Sequence, residues 1–469
     1  MKGKRLTATA VAALALTVAG AGTAAATGAF SSHQTDTEKA VAAALKKKDP
    51  KNVIFLLGDG MGTQEITAAR YYQGVDNALN VDRMPFTGFD TTWSVKPGAG
   101  PSYLPDYDPD SASTGTAWAT GRKSMDERIS QGPSTAENVP GQNLTTVLEL
   151  AQKQGMKVGD VSTAEITDAT PAVLASHISL RGCQGPADMG ACPKETKGAG
   201  GLGSIAEQEV DHHVDVLLGG GRARFEQTIG SGPYSGKTVV QSAQEQGYRY
   251  VTDADGLSTV GGNKPVLGLF NSGNMSLEWT GPAAALGKGN APEPCKEGQR
   301  PGNEPSLAAM TRRALDLLGD NNRKGFFLQV EGASIDKQDH ATNACGQIGE
   351  TVAFDRAIGV ALDYQEDHPE TLVVVTADHS HTSQIVGEDA SGSGLPTGYS
   401  TNLTTKDGQT LALTYGTAGY GGEPGKGPVA VPPSQQHTGA VVPVWASGPG
   451  GLAVLGTNDH TDLFGVLGQ

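Results

Sequence analysis

Short apolar runs recur along the chain, and each one leads into an acidic residue within two positions. The runs occupy residues 53–57, 326–330 and 372–376. A helix-like segment, TQEITAARYY, follows the first run, and a helical pattern from about Gly346 to Tyr364 separates the other two. Apolar strands that alternate with helices are typical of a parallel sheet covered on both sides. We therefore predict an α/β fold, with a largely parallel central sheet flanked by helices on both faces.

Residues 390–430 depart from this alternation. They are rich in glycine and contain β-like pieces such as residues 411–415, and the densest glycine tract lies near 416–428. We expect a Gly-rich insertion of loops and short antiparallel strands here.

The first residues have the organisation of a secretory signal peptide. The basic start MKGKR precedes an apolar run and then the small residues TAAATG, which predict cleavage near Ala26. A membrane anchor is the alternative, but the apolar run is shorter than the roughly 20 residues that a span requires. We expect a signal peptide at 1–26, a polar arm or linker at 27–48 and one large domain at 49–469, in a periplasmic or secreted protein.

The composition is that of a folded protein rich in loops. The chain has 469 residues, of which 65 are glycine and 18% are charged, and its formal charge is −15. A chain of this length can bury a large core, which argues against a disordered chain or a small disulfide scaffold. The acidic balance argues against nucleic-acid binding, because a phosphate backbone requires basic side chains.

Four cysteines suit an oxidising compartment: Cys183, Cys192, Cys295 and Cys345. An even number predicts two disulfides, and four cysteines allow three pairings. Proximity along the chain favours Cys183–Cys192 and Cys295–Cys345. A thiolate metal site is the alternative, which the absence of a C-x-x-C pair disfavours.

Acidic residues follow the three predicted strands: Asp59, Glu331 and Asp378. Ligands of open α/β sheets bind beyond the carboxyl ends of the strands, so these carboxylates would meet at one edge if the strands are parallel neighbours. A single aspartate would more simply begin a turn or cap a helix. Three acidic residues with histidines nearby favour a functional site.

Histidines in acidic surroundings favour a metal site. Asp336 and His340 are four residues apart and would share one helix face, while His379 and His381 follow the last predicted strand. His437 lies far along the chain. Mixed Asp and His ligands suit zinc or a similar metal. Five histidines lack this acidic context, and we interpret them as surface or hydrogen-bonded residues: His33, His212, His213, His368 and His460.

Ser111 is the candidate nucleophile. It lies in DPDSASTGTAW, whose small residues predict the first turn of a tightly packed helix. The N–H groups and the dipole of a helix N-terminus favour an anion, and a metal ion can activate a serine held there. The alternative is that Ser111 only caps the helix.

Six segments together resemble bacterial alkaline phosphatases and occur in that family's order. They are DGMG at 59–62, DSA at 110–112, STAE leading to DAT at 162–170, EGASIDK at 331–337, TADH at 376–379 and HTG at 437–439. The resemblance runs from about Lys51 to Leu467 and covers nearly the whole large domain. The arm at 27–48 and the tract near 416–428 depart from the family's pattern.

The resemblance implies a metal-dependent phosphomonoesterase with two zinc ions and one magnesium ion. It implies a phosphoserine intermediate on Ser111 and a phosphate clamp at Arg181. The implied ligands are Asp336, His340 and His437 for the first zinc, Asp59, Asp378 and His379 for the second, and Asp59, Thr170 and Glu331 for magnesium.

The resemblance also implies the surroundings of the site and the form of the protein. Residues next to the ligands and the nucleophile would be Asp110, Asp168, Lys337 and His381. The substrates would be phosphate monoesters, inorganic phosphate would be product and inhibitor, and the protein would be a homodimer with the two disulfides favoured above.

Three other functions compete with this one. A sulfatase of the same superfamily would need a C/S-x-P-x-R segment, and residues 111–115 lack its proline and arginine. A phosphodiesterase of the superfamily would generally carry a threonine nucleophile. A non-catalytic phosphate-binding protein would not need six metal ligands beside a serine.

Overall fold

The structure is a computed structural model that describes residues 39–45, 49–387, 398–418 and 434–468. The contacts divide the chain into two units, Met1–Lys39 and Ala40–Gln469. The predicted signal peptide at 1–26 and most of the predicted arm lie outside the described residues. Ala40 and Val41 pack against the main core, in which Ala44 is buried.

The strands are numbered in chain order. They are β1 (Asn52–Gly58), β2 (Phe86–Thr91), β3 (Ser94–Val95), β4 (Pro105–Asp106), β5 (Lys157–Glu165), β6 (Val216–Gly220), β7 (Arg249–Val251), β8 (Val266–Leu269), β9 (Ala285–Leu286), β10 (Phe326–Gly332), β11 (Thr371–Ala377), β12 (Ser380–His381), β13 (Ser383–Val386), β14 (Tyr399–Thr404), β15 (Thr410–Tyr415), β16 (His437–Thr438), β17 (Val442–Ser447) and β18 (Gly456–Asp459).

The α-helices lie between these strands. They span Thr63–Gln73, Ser111–Thr120, Val147–Lys153, Ala169–Ala175, Ile205–Asp211, Arg222–Phe225, Val239–Glu245, Ala254–Thr259, Leu307–Gly319, Ser334–His340, Ala344–Asp367 and Leu463–Leu467. Short 3-10 turns occur at Asn80–Arg83, Pro186–Ala191, Lys197–Ala199, Gly451–Val454 and His460–Asp462.

A single large sheet organises the molecule. Within the described residues it has ten strands in the order β18-β2-β17-β11-β1-β10-β5-β6-β8-β7. The seven strands from β11 to β7 are parallel, and β17 runs antiparallel to both of its neighbours. The prediction of a largely parallel sheet is confirmed.

Central strand β1 explains why both faces carry helices. Alternate side chains of a strand point to opposite faces, so Val53, Phe55 and Leu57 join one hydrophobic core while Ile54 and Leu56 join the other. The first core includes side chains of helices Ser111–Thr120 and Ala169–Ala175, and the second includes those of Leu307–Gly319 and Ala344–Asp367. Helices therefore cover both faces, as predicted.

Residues 390–430 are described in part. Strands β14 and β15 form an antiparallel sheet with β13 and β9, so the expected short antiparallel strands are present. Residues 390–397 and 419–430 of the predicted insertion, and so most of the tract near 416–428, lie outside the described residues. Among the helices that the structure describes, none is long and apolar enough to cross a membrane.

Both favoured disulfides are present in the structure. Cys183 is bonded to Cys192, and Cys295 is bonded to Cys345 across a separation of 50 residues. Cys345 lies in the first turn of Ala344–Asp367, shortly after the helix Ser334–His340. The second bridge therefore tethers the segment that carries Asp336 and His340.

Candidate active site

Neighbouring strands bring the predicted carboxylates to one edge of the sheet. In β1, Leu57 pairs with Glu331 and Gly58 pairs with Ala377, so Asp59 and Asp378 both follow immediately beyond this edge. The turn after β1 closes when the Gly60 N–H donates to Asp378 Oδ1 at 2.9 Å. Gly60 has a φ of +66°, and a Cβ there would lie 2.7 Å from the His381 ring, so the turn requires glycine.

A first cluster forms around Asp336 Oδ1. The Nε2 atoms of three histidines approach this oxygen, His381 at 2.6 Å and both His340 and His437 at 3.3 Å. The helix Ser334–His340 supplies Asp336 and His340 from one face. His437 arrives from 97 residues later, because β16 pairs with β12 and sets it opposite His381.

The ring orientations in this cluster are characteristic of metal ligands. His340 Nδ1 lies 2.7 Å from the Gln435 carbonyl, and His437 Nδ1 lies 3.1 Å from the Pro109 carbonyl. A carbonyl only accepts, so each Nδ1 carries the hydrogen and each neutral ring presents its Nε2 lone pair. The two Nε2 atoms are 2.9 Å apart beside Asp336 Oδ1, and a cation would satisfy all three.

A second cluster lies beside the first. His379 Nε2 is 3.5 Å from Asp59 Oδ1 and 3.3 Å from Asp378 Oδ2, and all three residues are buried. Asp378 Oδ2 and His379 Nδ1 have no hydrogen-bond partner among the described residues. The rings of His379 and His437 stack at 3.6 Å, so the two clusters are contiguous.

Ser111 lies at the second cluster. Its Oγ is 3.2 Å from His379 Nε2 and 3.4 Å from Asp59 Oδ1, and the residue is 2% exposed. The alternative that Ser111 caps its helix is wrong, because Asp110 is the N-cap and accepts the Ser113 N–H at 2.9 Å. Ser111 is the first helical residue, at the positive end of the helix dipole.

Basic side chains border the other side of the site. Arg181 Nη2 lies 2.8 Å from Asp168 Oδ1 and Arg181 Nη1 lies 3.3 Å from Asp110 Oδ2, while Lys337 Nζ lies 2.6 Å from Asp168 Oδ2. Burial raises the pKa of Asp168, but the charges of Lys337 and Arg181 outweigh it and hold that pKa well below its usual range. The Arg181 side chain is about one-quarter exposed.

At the carboxylates Asp59 and Glu331 the charge of Lys337 offsets the effect of burial only in part. Burial raises the pKa of Glu331 to about 8, although a hydrogen bond from Ser162 opposes the shift. Burial also raises the pKa of Asp59 well above its usual value, and the charges of Asp336, Asp378 and Glu331 add to this. Thr170 Oγ1 is buried and has no hydrogen-bond partner in the described part of the chain.

Some contributors to the site escaped the sequence analysis. The backbone carbonyls of Gln435 and Pro109 fix two imidazole rings, and a carbonyl carries no signal of its own in a sequence. Ser162 begins the STAE segment of the resemblance but was given no role there; it donates to Glu331 Oε2 near the carboxyl end of β5, a position that the strand-end rule could have identified. His381 was expected beside the ligands, and it contacts Asp336 more closely than the expected ligand histidines do.

Known proteins share both the sequence and the fold. A family model described as "Alkaline phosphatase" matches residues 50–423. Streptomycin-6-phosphate phosphatase from Streptomyces griseus is 46% identical over 443 residues, covering 92% of this chain and 93% of that protein. Alkaline phosphatase from Escherichia coli is 43% identical over 439 residues, covering 92% and 88%.

The likeness to solved structures agrees with this assignment at the level of the fold. The structure of alkaline phosphatase from the Antarctic bacterium TAB5 has a TM-score of 0.64 at 23% identity, covering 90% of this chain and 98% of that one. The chain therefore belongs to the alkaline phosphatase family, whose members are metal-dependent phosphomonoester hydrolases.

Proposed function

We propose that this chain hydrolyses phosphate monoesters through a phosphoserine on Ser111, with two zinc ions and one magnesium ion. The observation that carries the proposal is the position of Ser111 Oγ, at a helix N-terminus and within 3.5 Å of both Asp59 and His379. A serine that only stabilised the helix would not need contacts to two candidate metal ligands.

The donor atoms fit the proposed ions. Zinc suits the two sets that contain imidazole, Asp336 with His340 and His437, and Asp59 with Asp378 and His379. Magnesium suits an all-oxygen set, for which we assign Asp59, Thr170 and Glu331. When bound, the ions supply Lewis acidity and positive charge at the phosphoryl oxygens and lower the pKa of coordinated hydroxyl groups.

The reaction proceeds in two displacements at phosphorus. Ser111 Oγ attacks the phosphorus, the bond to the ester oxygen breaks, and the alcohol leaves with a proton. Water then attacks the phosphoserine, the bond to Oγ breaks, and Ser111 regains its proton as inorganic phosphate departs. Because each displacement inverts phosphorus, the product retains the configuration of the substrate.

Arg181 would hold the transferred group. Its planar fork can donate to two phosphoryl oxygens at once, and its ion pairs with Asp168 and Asp110 fix its direction. A monoester offers more free oxygens to this fork than a diester does. Lys337, which Asp168 anchors on its other oxygen, adds a second positive charge beside the site.

We further propose that residues 1–26 are a signal peptide, that 27–48 form an arm and that 49–469 form the catalytic domain of a periplasmic or secreted homodimer. A patch of exposed apolar side chains supports a dimer contact. Phe89 and Val441 are exposed at the pairing of β2 with the start of β17, and Trp93 and Tyr107 are exposed nearby. Light scattering of Val441→Asp against wild type would test this surface.

Trapping of the phosphoenzyme tests the proposed reaction. Labelled phosphate bound at acidic pH, followed by denaturation and peptide mapping, should label Ser111 in the wild type. Ser111→Ala should abolish the label. Ser113→Ala is the matched control, because Ser113 lies in the same helical turn but donates to the Asp110 carbonyl and to Asp126. Equal labelling of the wild type and Ser111→Ala would refute the phosphoserine.

A further inference from the structure

A second group of histidines and carboxylate lies outside the active site. Glu149 comes from the first turn of Val147–Lys153, His177 follows the end of Ala169–Ala175, and His212 is the C-cap of Ile205–Asp211. One ligand atom from each lies within 4.8 Å of the others. Three separate segments of the chain thus converge on one point, and none of the three residues belongs to the proposed catalytic machinery.

The hydrogen bonds fix the tautomers of both rings. His177 Nδ1 lies 2.9 Å from the Ser130 carbonyl, and His212 Nδ1 lies 2.9 Å from the Gln208 carbonyl. Since a carbonyl only accepts, each Nδ1 carries a hydrogen and each neutral ring presents an Nε2 lone pair. Both Nε2 atoms face Glu149 Oε1, at 3.2 Å from His177 and 3.4 Å from His212.

This arrangement repeats that of the active-site cluster around Asp336. In both places backbone carbonyls hold Nδ1 while the Nε2 atoms converge on one carboxylate oxygen. With neutral rings, three acceptors meet without a hydrogen between them. Carbonyl-anchored imidazole with a free Nε2 is the usual surrounding of a metal-binding histidine.

Two of the three distances between ligand atoms fit a tetrahedral ion. Ligands at about 2.0–2.1 Å from zinc are separated by roughly 3.3–3.4 Å along each edge of the tetrahedron. The two Nε2 to Oε1 distances, 3.2 and 3.4 Å, match that edge. Glu149 is already oriented, because its Oε2 accepts the Thr146 N–H at 3.0 Å. His212 and Glu149 are about one-fifth exposed, which leaves an open side where water can be the fourth ligand.

We propose that Glu149, His177 and His212 form an additional divalent-metal site of the zinc type, which joins three segments of the fold. The sequence predicts a surface or hydrogen-bonded role for His212, and its ring is indeed hydrogen-bonded; the fold also brings Glu149, from 63 residues earlier in the chain, against that ring. The competing arrangement is a pair of protonated rings on the carboxylate. Burial lowers the pKa of His212, but the hydrogen bonds to Glu149 and the Gln208 carbonyl, together with the charges of Glu149 and Asp211, raise it overall, which is compatible with this arrangement.

Metal content of the holoenzyme distinguishes the two arrangements. The protein is equilibrated at pH 8 with excess Mg²⁺ and limiting free Zn²⁺, and zinc per chain is measured by elemental analysis. Neutral imidazole binds zinc, so pH 8 favours the site. We expect His212→Ala to hold one zinc fewer per chain than the wild type, with unchanged phosphatase activity.

The matched control is His368→Ala. His368 also caps a helix and has its Nδ1 2.9 Å from the carbonyl four residues earlier, but it belongs to no cluster of metal-ligand type in the described chain. It should retain the wild-type zinc content. Glu149→Gln, whose amide oxygen can still accept the Thr146 N–H, should weaken zinc binding at least about tenfold.

A stability readout separates metal binding from general damage. Added Zn²⁺ should raise the unfolding temperature of the wild type and His368→Ala beyond the rise seen in His212→Ala, because only the intact site joins the three segments. Equal zinc content in the wild type and His212→Ala overturns the proposal. A wild type that takes up no zinc beyond the two catalytic ions also overturns it.

Discussion

The surroundings shift the pKa of Asp168 in one direction and the pKa values of Asp59 and Glu331, in the same site, in the other. Asp168 lies between Lys337 Nζ at 2.6 Å and Arg181 Nη2 at 2.8 Å, and these cations hold its pKa well below the usual range. Asp59 and Glu331 form no ion pair with a lysine or arginine in the part of the chain that the structure describes, and burial raises the pKa of both although the charge of Lys337 opposes it. The protein supplies positive charge to one side of the site and leaves the other side short of it.

This difference indicates what each side binds. A carboxylate that is paired with cations, such as Asp168, orients basic side chains, and these can bind an anionic substrate. Uncompensated buried carboxylates would be costly without a cation, and divalent ions remove that cost.

Asp59→Asn should have the largest effect. Asp59 is assigned to both zinc and magnesium and lies beside Ser111 Oγ, so its loss should lower kcat/KM by about 10³-fold or more, on the order of 4 kcal/mol. Steady-state kinetics and metal content of the same sample provide the measurement. Near-normal kcat/KM would show that the uncompensated side holds no catalytic ion.

Arg181→Ala should have the next largest effect. Loss of the planar guanidinium should lower kcat/KM by an amount that corresponds to about 2–4 kcal/mol of transition-state stabilisation. It should also weaken inhibition by inorganic phosphate. Arg181→Lys is the matched control, because it keeps the charge without the planar fork and should recover part of the loss. Unaltered phosphate inhibition in Arg181→Ala would contradict the proposal that the substrate binds beside Asp168, Arg181 and Lys337.

Asp168→His should replace a carboxylate that is paired with basic side chains by a potential metal ligand. The substitution removes the anchor of Lys337 and brings a nitrogen donor near the proposed magnesium site, so occupancy should shift from Mg²⁺ toward Zn²⁺. We expect magnesium affinity to fall by about 10–100-fold and excess Mg²⁺ to restore activity. Elemental analysis after dialysis against both metals gives the result, and unchanged magnesium content would mean that Asp168 does not govern this site.

Asp90→Asn tests what burial alone does to a carboxylate that is not assigned to a metal site. Burial raises the pKa of Asp90 to about 7, with Asp459 and Asp462 adding to the shift and Lys123 opposing it. The folded state therefore binds the proton more tightly than the unfolded state, so stability falls as pH rises from about 4 to 7. Asp90→Asn should remove this slope and stabilise the protein by about 1 kcal/mol at pH 8, after the cost of burying an amide.

Thermal unfolding at pH 5 and pH 8 measures this effect. Asp90→Asn should also keep its metals and its activity, which makes it a control for Asp59→Asn. An identical pH dependence in the wild type and Asp90→Asn would show that Asp90 is ionised and compensated in the folded protein.

The fold was largely predictable because its signal is local. Apolar runs such as residues 53–57 are typical of a strand buried on both faces. The acidic residues after them indicate the edge of the sheet at which the strands end. The long helix was predicted from Gly346 to Tyr364 and spans Ala344–Asp367, since the Asn343 side chain extends its start by capping the Gly346 N–H.

The site was less predictable from residues alone because it depends on long-range pairing. A two-residue bridge between β12 and β16 brings His437 opposite His381, and so short a pairing leaves no periodic pattern. Residue types alone made His437 a candidate ligand, but only the resemblance to known enzymes assigned it to a particular ion, and the assigned metal and catalytic roles stay predictions. The cluster of Glu149, His177 and His212 had neither a local pattern nor a resemblance to identify it.

Anomalous diffraction at the zinc edge, from crystals of the active protein, is the most direct test of the uncompensated side of the site. We predict one zinc peak among Asp336, His340 and His437, a second among Asp59, Asp378 and His379, and a lighter ion without a zinc signal beside Thr170 and Glu331. Fully active protein without a zinc peak at either of the first two positions would contradict the account.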